Sequence, residues 1–293
     1  MSTEISLGFK IYEIAKTLHA TIFVNGTLIN VETWPNCTEV RLKNFERIEQ
    51  TFMRNILNAH SKTPIEALYL EMGIIPLRFQ LMKRRILYLQ KILSRSDNEI
   101  TKQIVLEQKK RSIDGDFYDQ VKNDMVVLKI TDEQLLESKA KINEVARRKM
   151  NEAAFTCLIN KAKTHLKVND SLYTNCEGAK YLKHTGFTPD LVRVLFRFRT
   201  RTYLVKNNFR NNYRNTNIAC PLCEVNEDTQ EHIFKCYKLR RGYSGRLNCC
   251  YEDIFSGDCD TLLKVASALR ELTQIREKLL RQESLQESLE PAD

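Results

Sequence analysis

Apolar side chains recur at three- and four-residue spacing through most of the chain, and the elements they predict are helices. Between Leu7 and about Val31, the positions Ile11, Ile14, Ala15, Leu18, Ile22 and Phe23 define one face that should turn to a core, with Trp34-Pro35 ending the helix. Asn36 is placed to cap a second helix, with Glu39 three residues on and a buried stripe of Leu42, Phe45, Ile48, Phe52 and Ile56. Thr63 as cap, Pro64 at the first helical position and Glu66 at the third open a short helix carrying Leu68, Leu70 and Met72, which Gly73 closes. After Pro76 a longer helix is predicted to about Ser94, with Leu77, Leu81, Ile86, Leu87, Leu89 and Leu93 for burial. Residues 96–130 carry a weaker pattern, and the turn cluster Ser112-Ile-Asp-Gly-Asp116 reads as a linker and boundary.

The periodicity resumes with Thr131 and Gln134 as a cap pair. A long pattern then runs from Lys139 to about His165, presenting Ile142, Val145, Met150, Ala154, Leu158 and Ile159. Thr188-Pro189 opens a helix from Leu191 to about Leu204, a loop leads to Cys220, and a last amphipathic helix spans about Asp260 to Leu289 as a tail. The expected fold is mainly α: helical bundles, a small Cys3His zinc knuckle, then a C-terminal helix. Expected boundaries divide the chain into 1–98, 99–187, 188–240 and 241–293.

Composition supports helices and narrows the partner. Gly (9) and Pro (6) are scarce among 293 residues, which disfavours turn-rich β structure, and the net charge of +9 calls for an anionic partner. Nine cysteines would suggest disulfides in a secreted chain, but Lys10, Glu13 and Lys16 interrupt the apolar stretch a signal peptide needs. The glycosylation-type triplets at Asn25, Asn36 and Asn169 are then chance matches, and the thiols stay reduced and free for metal. No stretch reaches the roughly 18 apolar residues of a membrane span. An intracellular protein without a membrane partner is expected, with the nucleus preferred over the cytoplasm.

The sharpest chemistry is Cys220-Pro-Leu-Cys223, eight intervening residues, His232, three more, and Cys236. Three thiolates and one imidazole suit a tetrahedral structural Zn2+, and His232 and Cys236 fall one helical turn apart. Just before it, Arg193, Arg197, Arg199, Arg201, Lys206, Arg210 and Arg214 run without an acid between Asp190 and Glu224, interleaved with Phe196, Phe198, Tyr203, Phe209 and Tyr213. Cations that neutralise phosphates, with rings that stack on bases, point to nucleic acid. Catalytic residues are not found: there is no Asp-Asp pair, no phosphate-binding glycine loop and no nucleophile elbow, and Glu137-Ser-Lys139 reads as a helical charge pair.

Two stretches resemble the C-terminal part of reverse transcriptases from non-LTR retrotransposons. One is Ser61-Lys-Thr-Pro-Ile-Glu-Ala-Leu-Tyr-Leu-Glu-Met-Gly-Ile-Ile-Pro-Leu-Arg78 with its Arg-rich helix. The other, more specific, combines Leu195-Phe-Arg-Phe-Arg-Thr-Arg-Thr202, Val205-Lys-Asn-Asn-Phe-Arg210 and Cys220-Pro-Leu-Cys223 through Asp228-Thr-Gln-Glu-His232 to Cys236. The resemblance implies a thumb-like domain, a helical linker domain, a basic helix with a zinc knuckle, and then the tail. It puts Arg78, Lys83, Arg84 and Arg85 on the thumb surface that grips a duplex, and Arg197, Arg199, Arg201, Lys206 and Arg210 on the approach to the knuckle. The family's palm, with its aspartate pair, and its endonuclease are expected to lie outside this chain. The expected function is therefore a nucleic-acid-binding fragment, of RNA or DNA, that is no enzyme alone. Beside it stand two other readings: the thumb and knuckle of an active polymerase whose palm is supplied upstream or in trans, and a helical scaffold whose tail pairs with a partner helix.

Overall fold

A computed structural model describes residues 11–30, 39–165, 169, 172–213 and 217–287, and their side chains except those of 210–213 and 283–287. Among the described residues the chain is mainly α, as predicted, and the only β pairing is a single antiparallel bridge between Ala219 and Glu227. Helix α1 covers residues 11–27 and α2 Glu39–Leu57. Then follow α3 (Ile65–Met72), α4 (Leu77–Leu93), α5 (Ile100–Arg111), α6 (Phe117–Leu128), α7 (Asp132–Leu135) and α8 (Lys139–Ala162). The C-terminal part adds α9 (Pro189–Arg199), α10 (Gln230–Lys235), α11 (Tyr237–Gly242) and α12 (Cys259–Glu287). The expected breaks at Trp34-Pro35 and Asn36 lie outside the described residues.

Local signals mark several ends as expected. Thr131 and Gln134 form a reciprocal capping box, and the Thr188 hydroxyl accepts from Leu191 N–H with Pro189 following. Gly73 closes α3 at φ 62°, a left-handed conformation that suits glycine. The α3 start differs from expectation. Pro64 occupies the cap position, and the buried Thr63 hydroxyl instead donates to Thr202 Oγ1 at 3.4 Å.

Two predicted faces are rotated. In α1, Tyr12, Ala15, His19 and Val24 are buried, whereas Ile11, Ile14, Leu18 and Ile22 face solvent, Ile22 at 66% exposure. In α2 the buried row is Leu42, Glu46, Glu49, Met53 and Leu57, and Ile48 is 57% exposed. Buried carboxylates of α2 accompany both shifts, because such a group must be partnered, and His19 of α1 supplies one partner. Glu49 accepts from Tyr69 Oη at 2.5 Å and joins His19 Nε2 at 2.7 Å, while Glu46 holds Arg78 at 2.7 Å. His19 of α1 and Glu46 and Glu49 of α2 turn inward with the apolar residues of those rows. The segment His19–Val24 winds as a π-helix.

The stretch expected to be a linker is folded. Ser112 (φ 49°) and Gly115 (φ 78°) make the turn, the Asp116 side chain caps α6 by accepting from Asp119 N–H, and Val121, Met125 and Leu128 enter a core. That core joins α4 through Ile86 and Leu89 to α8 through Ile142, Ala146 and Ala154. Alanines in this four-residue row let the helices approach closely. A second, larger core gathers Met53, Leu68, Leu158, Phe196, Phe198, Leu222, Ile233, Val265, Leu269 and Leu272. Packing thus runs across positions 98, 187 and 240, and α12 is a core helix of this second cluster rather than a tail. Among the described residues no helix is long and apolar enough to cross a membrane.

Candidate metal centre and basic surface

Local backbone geometry assembles the Cys-rich segment. Cys220 N–H donates to Asn226 O at 2.7 Å and Asp228 N–H to Ile218 O at 2.9 Å, closing a short antiparallel turn. Within it Glu224 adopts φ 57° and its N–H returns to Cys220 O at 2.9 Å. Thr229 then caps α10, its hydroxyl accepting from His232 N–H at 3.0 Å, and Cys236 N–H donates to His232 O at 2.7 Å. These turns aim four buried donors at one point: the ligand atoms of Cys220, Cys223, His232 and Cys236 lie within 4.8 Å of one another, with Cys223 Sγ and His232 Nε2 at 3.2 Å. A buried Cys3His group able to hold a metal ion is therefore present where the spacing predicts it.

The thiols differ in environment. Burial opposes ionisation of Cys223, but the N–H groups of Asn226 and Val225 and the Cys220 and Cys236 thiols outweigh it, holding Cys223 below the ordinary thiol value. Burial pushes Cys236 up to about 11, against the Leu239 and Lys238 N–H groups and with the Cys220 and Cys223 charges beside it. Such like-charge crowding of thiolates is what a bound cation relieves.

The segment is clamped to the larger core. Asp228 accepts from Arg276 Nη2 of α12 at 2.8 Å and from Lys206 N–H at 2.8 Å, and Gln230 Nε2 donates to Phe198 O at 3.3 Å. Leu222, Ile233 and Leu239 are fully buried beside them.

The predicted basic residues do not form one surface. Arg78 is held by Glu46 and Glu39, and Arg85 makes a bidentate pair with Asp124 at 2.7 and 2.9 Å. Arg193 pairs with Asp190 at 3.0 Å, Arg197 donates to Asn58 O at 3.0 Å, and Lys206 Nζ donates to Asn217 O at 3.1 Å. Arg199 is buried beside Glu71, whereas Arg201 is exposed. Arg214 and the side chain of Arg210 lie outside the described residues. The interleaved rings are core: Phe196, Phe198, Tyr203 and Phe209 are buried, with Phe198 stacked on Tyr203 at 4.6 Å. Tyr213 lies outside the described side chains. The expectation that these rings stack on bases is thus corrected for the four described: Phe196 and Phe198 fall on the core-facing side of α9, Tyr203 packs on Phe198, and His60 and Lys62 cover Phe209.

A cationic groove does form elsewhere, between α4 and α8. A cavity of about 740 Å³ is lined by Arg84, Leu87, Tyr88, Gln90, Lys91, Lys139, Ala140 and Asn143, with no carboxylate among them. Arg84 donates to uncharged acceptors, Leu28 O and Asn25 Oδ1, so its charge stays uncompensated. Burial, then the charges of Arg84 and Arg147, hold the neighbouring Lys83 ammonium below its ordinary value. Lys139 and Arg147 sit far from α4 in sequence, and only the acid-free run around Lys83 to Lys91 signals this groove in advance. No family model, curated protein or solved structure matches the chain.

Proposed function

We propose that this chain is a nucleic-acid-binding module in which the Cys3His group takes a structural Zn2+. The observation that carries it is the α4–α8 groove, where Arg84, Lys91 and Lys139 line an opening without a carboxylate. Such a groove suits a phosphate backbone, and counterion release would give binding a steep salt dependence. Zn2+ is the ion that three thiolates and an imidazole select; four protein donors leave no position for water or substrate, so the metal orders the fold. The resemblance to the region after the palm of non-LTR retrotransposon reverse transcriptases agrees with this reading and makes a palm domain, upstream or in trans, the natural partner. The scaffold alternative draws less support, since Val265, Leu269 and Leu272 of α12 are already buried and not open to a partner helix.

Filter binding of RNA and DNA over rising salt tests the proposal. Log affinity should fall linearly with log salt, by roughly 0.7 to 0.9 for each phosphate neutralised, and Lys91→Glu with Lys139→Glu should lower it for every sequence alike. Affinity that is flat in salt would overturn the phosphate account.

A further inference from the structure

The groove between α4 and α8 carries more than charge. On α4, Arg84, Leu87, Tyr88 and Lys91 recur at three- and four-residue spacing and share one strip of the helix, with a cation at each end and apolar residues between. On α8, Lys139 and Ala140 lie one turn from Asn143, and all three are exposed. Tyr88 sets its ring edge-to-face against Phe117, centroids 5.8 Å apart, which leaves Leu87 and Ala140 as the aliphatic surface of the groove.

Two amides complete the lining. Gln90 Nε2 donates to Glu137 O at 3.5 Å, whereas the Asn143 side chain has no hydrogen-bond partner among the described residues. Glu137 itself, just before α8, is drawn to Lys141 at 3.9 Å.

Each kind of lining residue suits a different part of a ligand. Guanidinium and ammonium groups suit phosphate oxygens. Aliphatic surface gains only when an apolar group covers it, and a phosphate has none to offer. An amide both donates and accepts, as base edges do, whereas phosphate oxygens only accept. A duplex presents phosphates, but its base faces are stacked on one another. An unpaired strand can present phosphates, base faces and base edges together. The volume of about 740 Å³ is in the range that encloses an organic group of some size rather than a bare ion.

We propose that the α4–α8 groove selects unpaired strand over duplex, with Arg84, Lys91 and Lys139 on the phosphates, Leu87 and Ala140 against base faces, and Asn143 at a base edge. This preference rests on the nucleic-acid reading of the same groove, and Leu87, Ala140 and Asn143 are the residues that set it.

Fluorescence anisotropy of the full chain tests it, with a labelled, unstructured single-stranded oligodeoxynucleotide and a blunt duplex carrying the same number of phosphates, over rising salt. The single strand should bind at least about tenfold more tightly, and both affinities should fall with salt. Ala140→Gln, at an exposed helical position, keeps the charge and lays a longer polar side chain over the aliphatic surface; it should remove most of the preference and leave duplex affinity unchanged. Lys139→Gln should weaken both forms alike, and poly-glutamate of matched charge should not displace the strand. The preference is refuted if the duplex binds as tightly as the single strand, if Ala140→Gln leaves the difference intact or weakens both forms alike, or if poly-glutamate displaces the strand. Equal binding that still falls steeply with salt removes the strand preference alone, whereas binding that is flat in salt removes the phosphate reading beneath it.

Discussion

The Cys-rich segment and the basic segment before it both stand out by residue type and spacing, yet their side chains do opposite things. Cys220, Cys223, His232 and Cys236 converge within 4.8 Å. The arginines diverge: Arg193 and Arg197 lie at the surface, and Arg199 is buried against Glu71. The ligand set is closed by two tight turns and a capped helical turn, so its spacing encodes directions as well as residue types. Along α9 a six-residue step from Arg193 carries Arg199 roughly 240° around the axis, onto the enclosed side. Charge density along a chain is therefore not charge density on a surface, whereas ligand spacing within two turns is a geometric statement.

The sharpest way to break this comparison is to remove a ligand. Cys223→Ser should lose about one equivalent of zinc and destabilise the segment around α10, since metal binding adds to its folding free energy. Elemental analysis with circular dichroism checks it, and a variant that keeps both metal and structure would mean the four donors do not share an ion. On the basic side, Phe198→Ala should cost about 4 kcal/mol, read by urea unfolding. That is the signature of a fully buried ring stacked on Tyr203. A near-zero cost with weakened nucleic-acid binding would restore the stacking role that its sequence context suggests.

Much of the fold was legible for the same reason the ligand set was. Capping at Thr131 and Thr188, the glycine stop at Gly73 and the row Ile142, Met150, Ala154, Leu158 depend on residues within a few turns of one another, and the structure bears them out. What failed depended on distant partners. Apolar spacing misplaced the inward faces of α1 and α2 because Glu49 and Glu46 are drawn in by His19, Tyr69 and Arg78, from as far as α4. The stretch 96–130 read as a linker because its apolar pattern is less regular and broken by the Ser112–Asp116 turn cluster, although Val121 and Met125 complete a core with α4 and α8. The groove was hidden likewise, since its cations come from two helices that meet only on folding.

The clamp between the Cys-rich segment and α12 offers an intermediate effect. Arg276→Ala leaves Asp228 buried without its guanidinium and should cost about 3 kcal/mol, because the pair is nearly inaccessible on both sides. Chemical denaturation of the zinc-loaded chain measures this, and a cost below about 0.5 kcal/mol would place it among surface ion pairs. A smaller effect appears in metal-free protein. Burial holds His232 below its ordinary value of 6.5, with Asp228 opposing and Arg276 reinforcing. The unfolded chain therefore takes up this proton first as pH falls. Stability present above 6.5 should decline below it, by at most about 1.4 kcal/mol per unit. Unfolding measured one unit either side of 6.5 tests this, and His232→Asn should remove that part of the slope.

The smallest expected effect sharpens the comparison most. Arg193→Gln removes a charge that the basic run makes conspicuous, but Arg193 already spends it on Asp190, one turn away on an exposed face. Exposed pairs of this kind contribute about 0.2 to 1 kcal/mol, so thermal unfolding should barely move, and binding to RNA or DNA should change little. Lys91→Gln, from a groove where no carboxylate answers the charge, should reduce the salt slope by nearly one counterion. If the two variants instead weaken binding equally, the phosphate backbone would have to reach across both regions, and the distinction between a charged stretch of chain and a charged surface would not hold for this protein.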